Sequence, residues 1–544
     1  MRKFERLMAA LSLALIAAAC ADGEGGGAAP DGGDADAGTD TDTDSDAGAD
    51  HRFDAFAAAL QADLLANSAY GVSAAVMEDG VVTYAAAFGS KDADGLEPLT
   101  PDTLMQIGST TKQMTATALL RKVEEGAVSR DDALGAVLPE LEFASGADWD
   151  DEILLSDLLS HQSGLADWTL GDPSSDDGEL EAFTYGTFEA QEVLMNPPGA
   201  FWNYSNPNFS LLGLVTQTYD TRMWPDIVEQ DVFAPLGMAR TFARKEEVEA
   251  DGDYALSYGL GLDDLTTGIA GDVPMEQMPD PAWDRPAGFV WTTPTQMMAW
   301  AEFLTDGDPD VLSDELRAQI TTAHVDTLYG AGSMSYGYGM FVETGYMAKD
   351  GRWFAMPVWE HGGNTLSFTN ILYVLPEQRF AVDIISSGYN TDFSGALDAA
   401  ITTLVDLPAP SEGPEYVIDP DEFDDHVGAY NDAFNVGDVT IARSGDTLLI
   451  DMPTLALYGY TVTPELEAIS SDIFLVTIDD GTGPIQLDLT FVPLEGEEQS
   501  TYIRNRAFVA TRVEESPDGG VAASREAPSP EAVEAWVRRA RSLW

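Results

Sequence analysis

A single cysteine, Cys20, occurs among 544 residues. No intrachain disulfide can therefore hold the fold, whatever compartment it occupies. Long apolar runs are missing too: the most extended, Leu7 to Ala19, is too short to span a bilayer stably. Histidine is rare, and His51, His324 and His426 show no metal-ligand spacing, so no metal site is expected. There is no Gly-x-Ser-x-Gly, which argues against an α/β-hydrolase fold. No glycine-rich phosphate loop is present, and no cofactor is expected. Positive charge is scarce as well: 26 Lys and Arg stand against 94 Asp and Glu, a net charge of −68. Such a surface repels nucleic acid and anionic membrane, which excludes a polynucleotide partner. The acidic surface is read as a solubility device, suited to a salty medium in which screening softens self-repulsion.

What is present begins with "MRKFERLMAALSLALIAAAC". Arg2, Lys3 and Arg6 precede the apolar run, and small residues follow it, the pattern of a secretory signal. The segment "AAAC" resembles the lipobox of bacterial lipoproteins. That resemblance implies export, lipidation of Cys20 and attachment to a membrane only through this anchor. Residues 21–52 contain no aliphatic side chain larger than Ala, cannot bury anything, and read as an acidic, solvated linker. The Asp-x-Asp-x-Asp run from Asp40 to Asp46 belongs to that linker rather than to a calcium loop, since no glutamate closes it.

The length calls for two or three domains. A first folded region, 53–407, opens with the helical period of "FDAFAAALQADLLAN". Two strand-like runs around the hairpin signal Asp79-Gly80 follow, and then helices, including one over 107–125. Short strands are expected near 286–292, 336–342 and 358–387. Strands at both ends with helices between them suggest an α+β domain closed by non-local pairing. Residues 408–515 are strand-rich and read as a small all-β barrel or sandwich. Residues 516–544 read as a linker and a short basic amphipathic helix, with Pro530 at its first position.

The candidate chemistry starts at "IGSTTKQMTATALL". From Leu104 to Leu120 the only charged side chain is Lys112, one of six lysines in the chain. On a helix, Ser109 and Lys112 share a face. A serine at a helix start meets free N–H groups suited to an oxyanion. A buried lysine one turn on can take the hydroxyl proton once its pKa falls. No acid nearby in sequence would hold Lys112 protonated. Ser-x-x-Lys alone is a weak signal, but "FWNYSNPNFS" supplies Tyr204-Ser205-Asn206 and "VWEHGGNTLSF" supplies His361-Gly362-Gly363.

Together these stretches resemble the serine β-lactamase and penicillin-binding-protein superfamily, in its class C β-lactamase, DD-peptidase and family VIII esterase branch. That branch carries S-x-x-K, Y-x-N and then K-T-G or H-x-G in this order. The resemblance spans roughly residues 55–405. It implies a β-lactamase/DD-peptidase-like antiparallel sheet flanked by helices with a helical insert, and the region after it is similar to lipocalin-like barrels. By this likeness Ser109 forms the acyl-enzyme, Lys112 takes its proton and Tyr204, polarised by Lys112, relays it. Asn206 positions Lys112 and the substrate. The backbone N–H groups of Ser109 and Asn364 form the oxyanion hole, and Gly362 and Gly363 let substrate lie along a strand edge. His161, in "LLSHQSGL", is expected to be structural.

Where relatives with lysine in the third motif hold a permanent cation, this chain has His361, mostly neutral above about pH 7. That tilts the expectation toward a neutral ester or amide. It also implies that turnover of carboxylate-bearing substrates falls, relative to neutral esters, as pH rises past neutral. Two functions stay open: an exported serine hydrolase acting on an ester, amide or β-lactam bond of a small molecule or peptide, and a cell-surface binding or regulatory protein on the same scaffold. Oligomeric state is not encoded in any motif.

Overall fold

The computed structural model describes residues 51–143, 152–167, 171–264, 268–479, 481–494, 496–513 and 528–543. The expected signal segment, Cys20 and the expected acidic linker up to residue 50 lie outside them.

Helix α1 (Asp54–Ala66) leads into strands β1 (Gly71–Glu78) and β2 (Val81–Gly89). Asp79 and Gly80 both have positive φ, 52° and 76°, as a two-residue type I′ hairpin demands. Helices dominate the middle, among them α2 (Thr111–Glu124), α3 (Pro207–Thr218) and α4 (Arg285–Gly288). The sheet then resumes with β3 (Val325–Asp326), β4 (Met334–Tyr336), β5 (Phe341–Met347), β6 (Trp353–Asn364), β7 (Thr369–Leu375) and β8 (Phe380–Ser386). Helix α5 (Ser394–Leu404) follows. Sheet order is β2-β1-β8-β7-β6-β5-β4-β3. Val72 lies opposite Ser386, so an early strand and a late one close the domain.

Both faces of this sheet are covered, which is why β1 is buried along nearly its whole length. Val72, Ala74 and Val76 pack toward Phe56 and Leu60 of α1 and Leu397 and Ile401 of α5. Ala75 and Met77, on the other face, join the large core of the helical region. The strand expected over 286–292 is only Trp291–Thr292, paired with Met105–Gln106. Pro286 and its neighbours form helix α4 instead, because proline near a helix start costs no N–H bond.

The C-terminal region is a second antiparallel sheet: β9 (Gly428–Asp432), β10 (Gly437–Ser444), β11 (Thr447–Asp451), β12 (Thr461–Val462), β13 (Glu467–Ala468), β14 (Ile473–Asp479), β15 (Pro484–Pro493), β16 (Ser500–Asn505) and β17 (Phe508–Arg512). Their order is β11-β10-β9-β17-β16-β15-β14-β12, with β13 also paired to β14. Ile450 N–H donates to Pro464 O at 2.7 Å and Leu466 N–H to Leu448 O at 3.0 Å, which nearly closes a barrel. Its interior is filled by side chains such as Ile441, Phe474, Leu489 and Phe491. Helix α6 (Pro530–Leu543) adds Val533, Trp536 and Val537 to that core.

Candidate active site

Ser109 sits in a short 3-10 turn, Gly108–Thr110, that runs directly into α2. The turn is pinned to the sheet. Thr110 Oγ1 donates to Asn370 Oδ1 at 2.7 Å and lies 3.2 Å from His361 O. Every residue of α2 from Thr111 to Leu120 is buried, the polar ones included, so this stretch of helix is enclosed on all sides and not amphipathic.

Lys112 is fully buried in that helix. Its Nζ lies 3.0 Å from Ser109 Oγ, 2.7 Å from Asn206 Oδ1 and 2.7 Å from Ala287 O. A neutral amine has two N–H donors. Asn206 and Ala287 engage both, which leaves the lone pair facing the serine hydroxyl. Burial pushes the amine down from the usual lysine range, to about 7. No acid lies near Lys112 in sequence, but the fold brings two from remote segments: Asp284 and Asp167 oppose the shift. Burial in turn raises Asp284 well above the usual carboxylate range.

Tyr204 is 2% exposed, and its phenol interacts with the Ser109 side chain. Burial raises the phenol, so it stays protonated. Lys112 Nζ stands over the Tyr204 ring, 5.0 Å from its centroid. Asn206 precedes Pro207, the first residue of α3. Its backbone N–H donates to Asp167 Oδ1 at 2.6 Å.

His161 is buried with φ 57°, and its Nδ1 accepts from Ser205 N–H at 3.2 Å and from Asn208 Nδ2 at 3.0 Å. Its ring lies 4.2 Å from that of Tyr204. It thus shapes the segment that aims the phenol.

Gly362, Gly363 and Asn364 are the last residues of β6, paired with Ile371, Asn370 and Thr369 of β7. Asn364 N would be 2.4 Å from a Cβ on Gly108, so this strand end lies against the turn that carries Ser109. His361 departs from expectation. It is fully buried; Nδ1–H donates to Gly362 O at 2.6 Å, and Nε2 accepts from Tyr336 Oη at 3.1 Å. No donor is left over for a substrate. Burial, with Lys112 nearby, lowers its pKa to about 3. The imidazole is therefore neutral throughout the working range, and the expected fall in carboxylate turnover past neutral pH has no titrating group behind it.

The barrel brings residues to this site that the sequence reading missed. Arg504, 1% exposed, donates from Nη1 to Trp202 O at 2.6 Å and Thr327 O at 3.1 Å. Arg506 lies 4.5 Å over the Tyr204 ring and pairs with Asp167 at 2.6 Å. The available signal was "YIRNRAF", two arginines at a hairpin turn in an acid-rich chain. Among the described residues no cluster of His, Cys, Asp and Glu could hold a metal ion.

A serine and lysine opening a buried helix, a Tyr-x-Asn turn and a glycine-rich strand end on an antiparallel sheet define a chain of the serine β-lactamase and penicillin-binding-protein superfamily. More narrowly, the chain belongs to the beta-lactamase family, whose model matches residues 53–406. It is 31% identical over 293 residues to the D-aminopeptidase of Brucella anthropi, covering 52% of this chain and 51% of that protein. It is 22% identical over 352 residues to protein flp of Staphylococcus aureus, covering 64% of this chain and 65% of that one. The chain thus spans about half to 65% of the length of these relatives. A penicillin-binding protein homologue from Pyrococcus abyssi, 19% identical, shares the fold over 84% of this chain and 99% of that one with a TM-score of 0.54.

Proposed function

We propose that this protein is an exported serine hydrolase, anchored through lipid on Cys20, that cleaves neutral esters or amides by way of an acyl-Ser109 intermediate. The observation that carries the reading is the aim of Lys112 Nζ. Two fixed acceptors at 2.7 Å orient the amine, and Ser109 Oγ occupies its third direction at 3.0 Å.

In the reaction Ser109 Oγ bonds to the substrate carbonyl carbon while its proton passes to Lys112. The oxyanion is held by the N–H groups of Ser109 and Asn364. The protonated amine returns the proton, through Tyr204, to the leaving alkoxide or amine as the bond to carbon breaks. Water then attacks the acyl-serine, giving up its proton by the same route, and Ser109 is released protonated.

A neutral, fully engaged His361 supplies no cation for a substrate carboxylate, which supports neutral acyl groups over β-lactams. The Brucella anthropi relative is a D-aminopeptidase, so amides of D-amino acids stand beside short esters as the substrates to try first. A fluorophosphonate probe tests the reading. Labelling of Ser109 that vanishes in Ser109→Ala supports it, and folded protein that takes no label overturns it. A panel of short-chain ester, D-amino acid amide, D-Ala-D-Ala peptide and β-lactam then ranks the substrates.

A further inference from the structure

Of the two barrel arginines at the site, Arg506 is the one that reaches Tyr204 and Asp167. Arg506 lies in the turn between β16 and β17 of the barrel. Its Nε and Nη2 meet Asp167 Oδ2 at 2.8 and 2.6 Å. Asp167, 3% exposed, uses its other oxygen to accept the backbone N–H of Asn206 at 2.6 Å. Asn206 Oδ1 accepts from Lys112 Nζ at 2.7 Å. An unbroken polar chain therefore runs from the barrel turn to the amine beside Ser109. The guanidinium also covers the Tyr204 ring, 4.5 Å from its centroid.

We propose that Arg506 is a positioning residue for the acyl-serine reaction: the barrel lends the catalytic domain a fixed cation that holds Asp167 against Asn206 and so keeps the Lys112 amine aimed at Ser109. The inference rests on the hydrolase reading and deepens it by making the barrel part of the working site.

The electrostatics follow from the same contacts. The charged and titratable groups that face Lys112 are Asp284 beside α4, Asp167 from the segment after His161, Arg506 from the barrel, and the neutral rings of His161, His361 and Tyr204. The two acids favour the protonated amine and Arg506 opposes them. Without Arg506, Asp167 is a buried carboxylate with no cationic partner, and Lys112 keeps its proton to higher pH. A base that stays protonated cannot accept the serine proton.

The test is the pH profile of kcat/KM for p-nitrophenyl butyrate on the full-length protein, whose acid limb reports the free base. Arg506→Ala is expected to move that limb up by about one pH unit and to slow acylation at pH 7 about fivefold. Arg506→Lys is expected to restore most of the displacement. Asp167→Asn removes an acid while keeping an acceptor for Asn206, so its limb is expected to move down. Displacements of opposite sign cannot come from general damage to the fold. An Arg506→Ala limb that coincides with the wild type, or two variants that move the same way, overturns the inference. Should Arg506→Ala not fold, an unmoved or raised limb in Asp167→Asn does the same. Wild-type protein that takes no fluorophosphonate at Ser109 removes the hydrolase reading itself. An unmoved limb in a labelled, active variant removes only the role of Arg506.

Discussion

A Cβ atom on Gly363 would stand 1.7 Å from the carbonyl oxygen of Ile107. The strand that ends in Asn364 and the turn that begins at Gly108 therefore cross backbone against backbone. Gly108 meets the same strand with φ 51°, a conformation that disfavours other residues. This crossing sets the backbone nitrogen of Asn364 against the turn that carries Ser109. Gly363→Ala must push the two segments apart. It is expected to abolish fluorophosphonate labelling and to destabilise the protein by about 1–3 kcal/mol. Wild-type labelling with an unchanged thermal melt would contradict this.

On the proposed reading Lys112→Ala removes the base for Ser109 and is expected to slow acylation by about a thousandfold or more. Lys112→Arg is expected to be no better, because a guanidinium does not give up its proton in the working range. Burst amplitudes with a p-nitrophenyl ester distinguish lost acylation from lost deacylation. Near-normal turnover in either variant would rule out Lys112 as the base.

On the proposed hydrolase reading the working form of Lys112 is neutral, so acylation is expected to rise as pH increases through about 7 and to level off above it. His361, held neutral down to about 3, adds no second limb near neutrality. Parallel profiles for nitrocefin and p-nitrophenyl butyrate should therefore have the same shape on the acid side. A divergence confined to nitrocefin would mean that another group near the site titrates against its carboxylate.

Arg504 sits wholly between barrel and catalytic domain, with Trp202 and Tyr329 rings 5.4 and 4.8 Å from its guanidinium carbon. Arg504→Ala leaves the carbonyls of Trp202 and Thr327 buried without this donor. It is expected to cost about 2–4 kcal/mol and to expose the interdomain segments to protease. Wild-type protease resistance and an unshifted melt would show that the contact adds nothing.

Glu229 is pushed up to about 8, chiefly by burial and then by its hydrogen bond with Glu247. A raised acid contributes stability that is present below its unfolded pKa, about 4.5, and is lost as pH rises through about 8. Glu229→Gln should therefore match the wild type near pH 5 and melt higher by a few degrees near pH 9. A variant that melts lower than the wild type at pH 9 would reverse the sign of this argument.

Much of the site was legible because its first pair is local. Ser109 and Lys112 lie three apart, and an uncharged run around a lone lysine signals burial without any knowledge of the fold. The hairpin at Asp79-Gly80 was legible for the same reason, since two positive φ angles are a property of the turn alone. Tyr204, Asn206 and the glycines after His361 were found through their resemblance to a known order of motifs, not through spacing. The strand expected over 286–292 failed where Pro286 lies in the first turn of a helix, a position that costs no N–H bond.

What the sequence determined by itself is therefore the short-range part: which hydroxyl and which amine share a helical turn, and that the amine is buried. What only the tertiary structure decided is the field around that amine. Asp167, Asp284 and Arg506 come from three distant segments, yet all three act on Lys112. His361 is silenced by Tyr336 and by the carbonyl of Gly362. Charge acts through distance in space, and a chain's order along its length does not say which remote residues the fold will bring within a few ångströms of one another.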